Sequence, residues 1–265
     1  MITHFADLEL NTVSIQGVKQ CYADRLQLPI IVESEEFIQF QLTPFTTLSF
    51  KETYESIAPA HFAFQVPYSQ FDKVVSFIQQ SGLLVLRQEN GQYVDETDGR
   101  RNLYFRDGDG HILEVIAHDY IAENELQALG ALKTMYLREI GFPVDSVPVF
   151  RELLKRSLEM KTEKDQETFN FVISGTAHAV VVSKRRPWIP IGMKALPPKM
   201  KVTFGTPDID FLNKIAKRVN SSWVDTKELN FTIENYKFCI KSTPEFGKST
   251  IKRLNLPLSY ENAIL

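Results

Sequence analysis

Apolar and polar positions along this chain change period in a repeating order. Residues 5–11 alternate, the period of a strand with one buried face. Residues 15–26 switch to helical spacing, with Ile15, Val18, Cys21, Tyr22 and Leu26 on one side. Three short strand patterns follow at 30–32, 37–42 and 46–51, the last two joined by a turn at Thr43-Pro44. The order then restarts. A strand at 61–66 leads into a helix at 67–82 that buries Phe71, Val74, Val75 and Ile78. Pro67 stands where a helix start tolerates proline, and Gly82 where a helix end favours glycine. Strands at 92–95, 102–106 and 111–117 come next, and Asp107-Gly108-Asp109-Gly110 makes a hairpin turn between the last two.

A polar, Ala/Glu-rich stretch at 118–130 reads as a connector, open to helix formation. After it the order appears a third time: strand 134–142, helix 146–160, strands 168–173 and 177–183, then a proline-rich edge at 185–198. A fourth round runs from strand 201–205 through helix 208–220 to strands 229–233 and 236–241. Beyond residue 243 there is no period, which suits a packed arm. A shift of 132 positions lays Asp7 on Glu139, and Tyr22 and Leu26 on Leu154 and Leu158. A shift of 140 lays Phe64, Pro67 and Phe71 on Phe204, Pro207 and Phe211. Such self-similarity marks duplicated supersecondary units.

Composition narrows the class. The chain has 265 residues, 43% of them apolar, and a formal charge of −3, so nothing in the balance points to nucleic acid or an anionic membrane. No apolar run nears the ~20 residues of a bilayer span, and no signal peptide is visible. The expectation is a soluble cytoplasmic protein. Cys21 and Cys239 sit on apolar patterns far apart and read as buried small hydrophobes.

In the first half one strand face is apolar (Leu8, Phe40, Leu48, Phe62, Phe105, Leu113) and should pack under the helices. The opposite face carries Asp7, Gln39, Ser49, His61, Gln65, Asn102, Tyr104, Arg106 and Glu114. Spacing alone leaves two readings of that polar face. It is either plain solvent-facing sheet or the lining of a cup with converging ligand-type side chains.

Phe105-Arg106-Asp107-Gly108-Asp109-Gly110-His111-Ile112-Leu113-Glu114 resembles the F-x-D-P-D-G-N-x-(I/L)-E signature of the vicinal oxygen chelate superfamily. This group holds glyoxalases, bleomycin-resistance proteins and extradiol dioxygenases. Gly108 stands where proline is common and His111 where asparagine is common. Ala60-His61-Phe62-Ala63-Phe64-Gln65-Val66 and Cys21-Tyr22-Ala23-Asp24-Arg25-Leu26-Gln27-Leu28 resemble two further family motifs. The likeness covers residues 2–118; for 133–242 it rests on the repeat.

The resemblance implies an α+β fold of four βαβββ modules in two tandem halves, each half a curled mixed sheet forming a cup with helices outside. On this reading 1–118 is an N-terminal paired domain with a metal site, and 119–132 is a linker. Residues 133–243 form a C-terminal paired domain with a degenerate site, and 244–265 are a tail. The resemblance also implies metal ligands at Asp7, His61 and Glu114, with Asp7 where the family usually has His. The ion would be Fe²⁺, Mn²⁺, Ni²⁺ or Zn²⁺. Tyr104 and His118 would handle protons, and Arg106, Gln39 and Ser49 would contact substrate. His4 falls on the wrong strand face, and His111 and His178 read as structural. In the second half Glu139 alone cannot hold a metal, and Arg185-Arg186-Pro187-Trp188 reads as a solvated edge or an interaction cluster.

The implied activity is a metal-dependent lyase or ring-cleaving dioxygenase acting on a small oxygen-chelating substrate, as a monomer or homodimer. The tandem length is similar to that of two-domain extradiol dioxygenases, which usually keep the metal in the second half. The rival reading is a metal-free drug- or metabolite-binding protein of the same fold, and a third is a degenerate enzyme kept as a scaffold.

Overall fold

The computed structural model describes residues 1–256. The first module contains β1 (His4–Thr12), α1 (Ile15–Lys19), β2 (Ile30–Glu33), β3 (Phe37–Thr43) and β4 (Thr46–Glu52). Ser14 caps α1 by accepting from the Gly17 N–H, and the helix runs on into a wider turn over residues 20–25. The second contains β5 (His61–Gln65), α2 (Phe71–Gln80), β6 (Leu84–Val85), β7 (Val94–Thr97), β8 (Arg100–Arg106) and β9 (Ile112–His118). The third contains β10 (Tyr136–Val144), α3 (Val147–Leu158), β11 (Phe169–Ser174) and β12 (Ala177–Ser183). Its edge strand shrinks to a single bridge between Lys161 and Ile173. A small hairpin, β13 (Pro187–Trp188) and β14 (Met193–Lys194), precedes the fourth module. That module contains β15 (Met200–Thr206), α4 (Ile209–Ala216), β16 (Ser221–Asp225), β17 (Glu228–Ile233) and β18 (Tyr236–Ser242).

The architecture is α+β, with two eight-stranded mixed sheets and few helices, and four modules in the expected order. The grouping of modules differs from the expectation. β1 pairs antiparallel with β15, so the first sheet joins modules one and four in the order β16-β17-β18-β15-β1-β4-β3-β2. β5 pairs antiparallel with β10, so the second sheet joins modules two and three. Residues 1–118 and 133–243 therefore do not each close a sheet of their own, as the expected paired domains require; each sheet takes one module from each half. Each opening strand finds its partner in the other half, and the chain crosses between the two sheets twice, between residues 52 and 61 and between residues 183 and 200.

One apolar core serves both sheets. It contains Leu8 and Leu48 from the first, Phe62, Leu113, Phe142 and Val181 from the second, and the inward faces of α1 to α4. Rings carry the contact across: Phe5 stacks on Phe204, Phe204 on Phe238, and Phe238 on Phe142. Every apolar strand position expected to be buried is in this core.

The connector is not helical. Ile121, Met135 and Tyr136 form a small second cluster with Phe246, Ile251, Leu254 and Leu256 of the tail, which carries α5 (Lys248–Arg253). The arm thus packs as far as it is described; residues 257–265 of the predicted tail lie outside the described residues. Both cysteines are buried free thiols. Among the described residues no helix is long and apolar enough to cross a membrane.

Candidate metal centre

The second sheet gathers three ligand-type side chains from three strands. His61 opens β5, Glu114 lies mid-strand in β9, and Glu139 lies in β10. β5 is hydrogen-bonded to both β9 and β10, so the three residues sit on adjacent strands. His61 Nε2 is 3.6 Å from Glu114 Oε2 and 3.9 Å from Glu139 Oε2, and the three ligand atoms lie within 4.8 Å of one another. His61 Nδ1 stands 3.2 Å from the Ile112 carbonyl, which fits an Nδ1–H donor and leaves Nε2 for a metal. Asn102 Nδ2 donates to Glu114 Oε1 at 2.9 Å and holds that carboxylate in place.

Electrostatics tie the group together. Burial alone would lower the His61 pKa, but the facing carboxylates of Glu139 and Glu114 outweigh it and the net shift is upward. Burial, with Glu139 beside it, pushes Glu114 up to about 7 despite His61 and Asn102. Two carboxylates and one imidazole, all buried, form a donor set short of positive charge.

The residues fit a divalent ion. One nitrogen and two carboxylate oxygens suit Mn²⁺, Fe²⁺, Ni²⁺ or Zn²⁺. With bonds of ~2.0–2.2 Å, ligand atoms in a six-coordinate shell lie roughly 3–4.4 Å apart, close to what the three residues already show. A fourth protein ligand is missing by register. Glu114 pairs with Ala63, and the matching pair in the third module is Val180 with Gly141. Val180 therefore stands where a third carboxylate would reach the ion.

The expected site residues separate into two groups. Asp7 lies in the first sheet and does not join His61 and Glu114. It is half-buried and accepts hydrogen bonds from Thr47, Ser49 and Gln39. Burial raises its pKa, opposed by the Thr47 and Ser49 hydroxyls. Gln39 and Ser49 therefore serve Asp7 rather than a substrate near His61. Lys201, one residue N-terminal of the Val202 that pairs with Leu8, lies across from Glu9 where the second sheet brings His61 against Gly141. A protonated lysine there is a poor metal ligand. The cup with converging ligand-type side chains lies on the second sheet, while the Asp7 face of the first sheet is closed by its own hydrogen bonds.

Tyr104 pairs across from Glu114 and lines the cavity over the triad. Arg106 does not: its Nε donates to the Gly110 carbonyl, closing the 107–110 turn. His118 lies in a neighbouring chamber, bonded through Nδ1 to Gln65 Oε1 at 3.0 Å.

Two residues of the centre escaped sequence reasoning. The 132-position overlay laid Glu139 on Asp7, at the opening-strand ligand place, but the assumed pairing within halves left it isolated. Trp188 sat in a cluster read as an edge. Instead its ring lies 5.1 Å from that of His61 and is buried. It can lie there because Gly141 has no side chain: a Cβ at 141 would meet Trp188 at 2.6 Å and His61 at 3.3 Å. The cavity above the triad measures about 290 Å³, and Tyr104, Phe169, Phe171, Val180 and Trp188 wall it.

No family model matches the sequence, and no curated protein matches it either. Solved structures do. A "putative dioxygenase" from Bacillus subtilis aligns over 99% of this chain and 94% of its own, with a TM-score of 0.67 and 14% identity. Glyoxalase I from Zea mays aligns over 90% of this chain and 92% of its own, with a TM-score of 0.57 and 12% identity. The chain thus shares the fold of these structures along nearly its whole length, the fold expected from the resemblance.

Proposed function

We propose that the protein is a metal-dependent enzyme of the glyoxalase/dioxygenase type, in which His61, Glu114 and Glu139 hold one divalent ion. The observation that carries this reading is the convergence of those three side chains, from three strands, at the floor of a cavity. Three protein ligands would leave positions open for a substrate that offers two adjacent oxygens. A bound ion would polarise those oxygens and favour their deprotonated form. Burial, with Glu114 and Glu139 nearby, holds the Tyr104 phenol well above its usual pKa, so it stays a hydrogen-bond donor toward a substrate oxygen. The Trp188 indole N–H, buried without a partner, is a second donor at the cavity wall. Trp188, which is buried, shields the centre from water, and with Phe169 and Phe171 it presents flat faces to a planar substrate.

The same aromatic wall favours one other reading, a metal-free binder of small planar molecules. Metal content separates the two. Chain soaked with Mn²⁺, Fe²⁺, Ni²⁺ or Zn²⁺ and desalted should keep about one equivalent by elemental analysis. His61→Ala and Glu139→Gln should lose it, and Asp7→Asn should not. No retained metal from any of the four ions, or equal retention in Glu139→Gln, sinks the enzyme reading.

A further inference from the structure

A second chamber of about 280 Å³ adjoins the cavity over the triad and shares Arg100, Ile116, Glu139, Phe169 and Phe171 with it. Its floor owes its charge to a bulge. The register of β10 on β5 slips between Leu137 and Glu139, so Arg138 is the extra residue. A bulge re-aims a side chain that strict alternation would send into the core. The equivalent bulge in β1, between Phe5 and Asp7, carries only Ala6. The guanidinium is thus particular to this sheet.

Arg138 is 4% exposed. Its NH1 and NH2 donate to neutral oxygens, of Gln65, Tyr136 and Tyr120. Its Nε has no hydrogen-bond partner, and the one carboxylate at ion-pair distance among the described residues is Glu139, 3.6 Å away. Glu139 is also a ligand of the triad. An ion bound there would draw on the same carboxylate and leave a buried guanidinium without its counter-charge, a costly state. His178 Nε2, in a residue 3% exposed, also lines the chamber and is also unpartnered. Burial and the Arg138 charge keep His118 and His178 neutral, with His118 lowered to about 3. The remaining charged lining is Arg100 and Lys164 against Glu163. Once Glu139 serves a metal, cations outnumber anions around the chamber.

Resting on the metal-centre reading above, we propose that the substrate carries a carboxylate that enters this second chamber beside Arg138 and His178, while its two adjacent oxygens face the triad. A carboxylate only accepts hydrogen bonds, which is what Arg138 Nε–H and a protonated ring nitrogen of His178 lack. Phe169 and Phe171, shared by both cavities, line the passage for the body of the molecule.

The test uses three probes: catechol, 3,4-dihydroxybenzoate and benzoate. On Zn²⁺-loaded protein, calorimetry should find the acid-bearing diol bound about tenfold or more tighter than catechol, as a charge-assisted hydrogen bond implies. Arg138→Met should erase that advantage, read as the ratio of the two diol affinities on the same metal-loaded variant, and Arg138→Lys should restore part of it. If Arg138→Met does not fold, His178→Phe serves, with the advantage expected to shrink. Equal affinity for the two diols in wild type, or an advantage that survives substitution, overturns the inference and leaves the metal centre standing. If the protein takes up no metal, the metal-centre reading fails separately. Benzoate binding to metal-free protein, followed by ligand-observed NMR in wild type and Arg138→Met, then decides the chamber alone: arginine-dependent binding supports it, and none refutes it.

Discussion

Gly141→Ala perturbs the candidate centre without replacing a ligand. The added methyl would stand 2.6 Å from Trp188 Cη2, 3.1 Å from Cζ2 and 3.3 Å from the His61 Cβ. Ordinary carbon contacts begin near ~3.5 Å, so the indole must retreat by about 1 Å. β10 is fixed on both sides by β5 and β12, whereas Trp188 belongs to a two-stranded hairpin outside both large sheets. The indole is therefore the part that yields. Overpacking of this kind costs about 1–3 kcal/mol. For a chain of this length that corresponds to a fall in Tm of roughly 2–4 °C per kcal/mol. Trp223, the other tryptophan, is 44% exposed, so Trp223→Phe isolates Trp188 as the emitter. In that background Gly141→Ala should shift Trp188 emission to the red and lower Tm, with His61 still binding metal at reduced affinity. Unchanged emission together with unchanged Tm would mean that Trp188 does not lie over His61, and the cavity wall described above would be wrong.

Two further outcomes follow from buried titratable groups. Burial lowers the His4 pKa to about 3, so between about 3 and the ordinary 6.5 the unfolded chain binds a proton that the folded chain refuses. In that window His4 makes stability rise with pH, by up to about 1.4 kcal/mol per pH unit; buried carboxylates such as Glu114 act oppositely, so the reading is the difference in urea-unfolding slope between wild type and His4→Gln from pH 4 to 6.5. No difference refutes the assignment. Burial also pushes both thiols up to about 12, so Cys21 and Cys239 should resist iodoacetamide at pH 8 and react fully in urea, as mass spectrometry would read; prompt labelling of native protein would contradict their placement.

Much of the fold was written locally. The alternation of Leu8, Phe40, Phe62 and Leu113 with polar neighbours set which face is buried, and capping at Ser14 and Asp208 set helix starts. His61 and Glu114 were legible because motif and strand register agreed. What stayed hidden was non-local. Antiparallel pairing of β5 with β10 is a contact between residues 61–65 and 136–140, and periodicity carries no record of which strand edge meets which. Glu139 was visible as a carboxylate in the right module position, but its partners depended on that pairing. The bulge at Arg138 breaks alternation by one residue, so a strict period of two would send its side chain to the wrong face. Trp188 was hidden for another reason. Its place depends on a glycine 47 positions earlier, and nothing near Trp188 signals it.

The pairing of the four modules also orders events during synthesis. A ribosome releases the chain from its N-terminus, so β1 emerges first, yet its antiparallel neighbour β15 lies at residues 200–206. The inner pair can join as soon as β10 is out, while the outer pair must wait until residues 200–206 have been made. Until then the earliest strand exposes an unfilled edge, the kind of surface that invites association with other nascent chains. The first module made is thus among the last to be completed, and this outermost bracket is where assembly is most open to error.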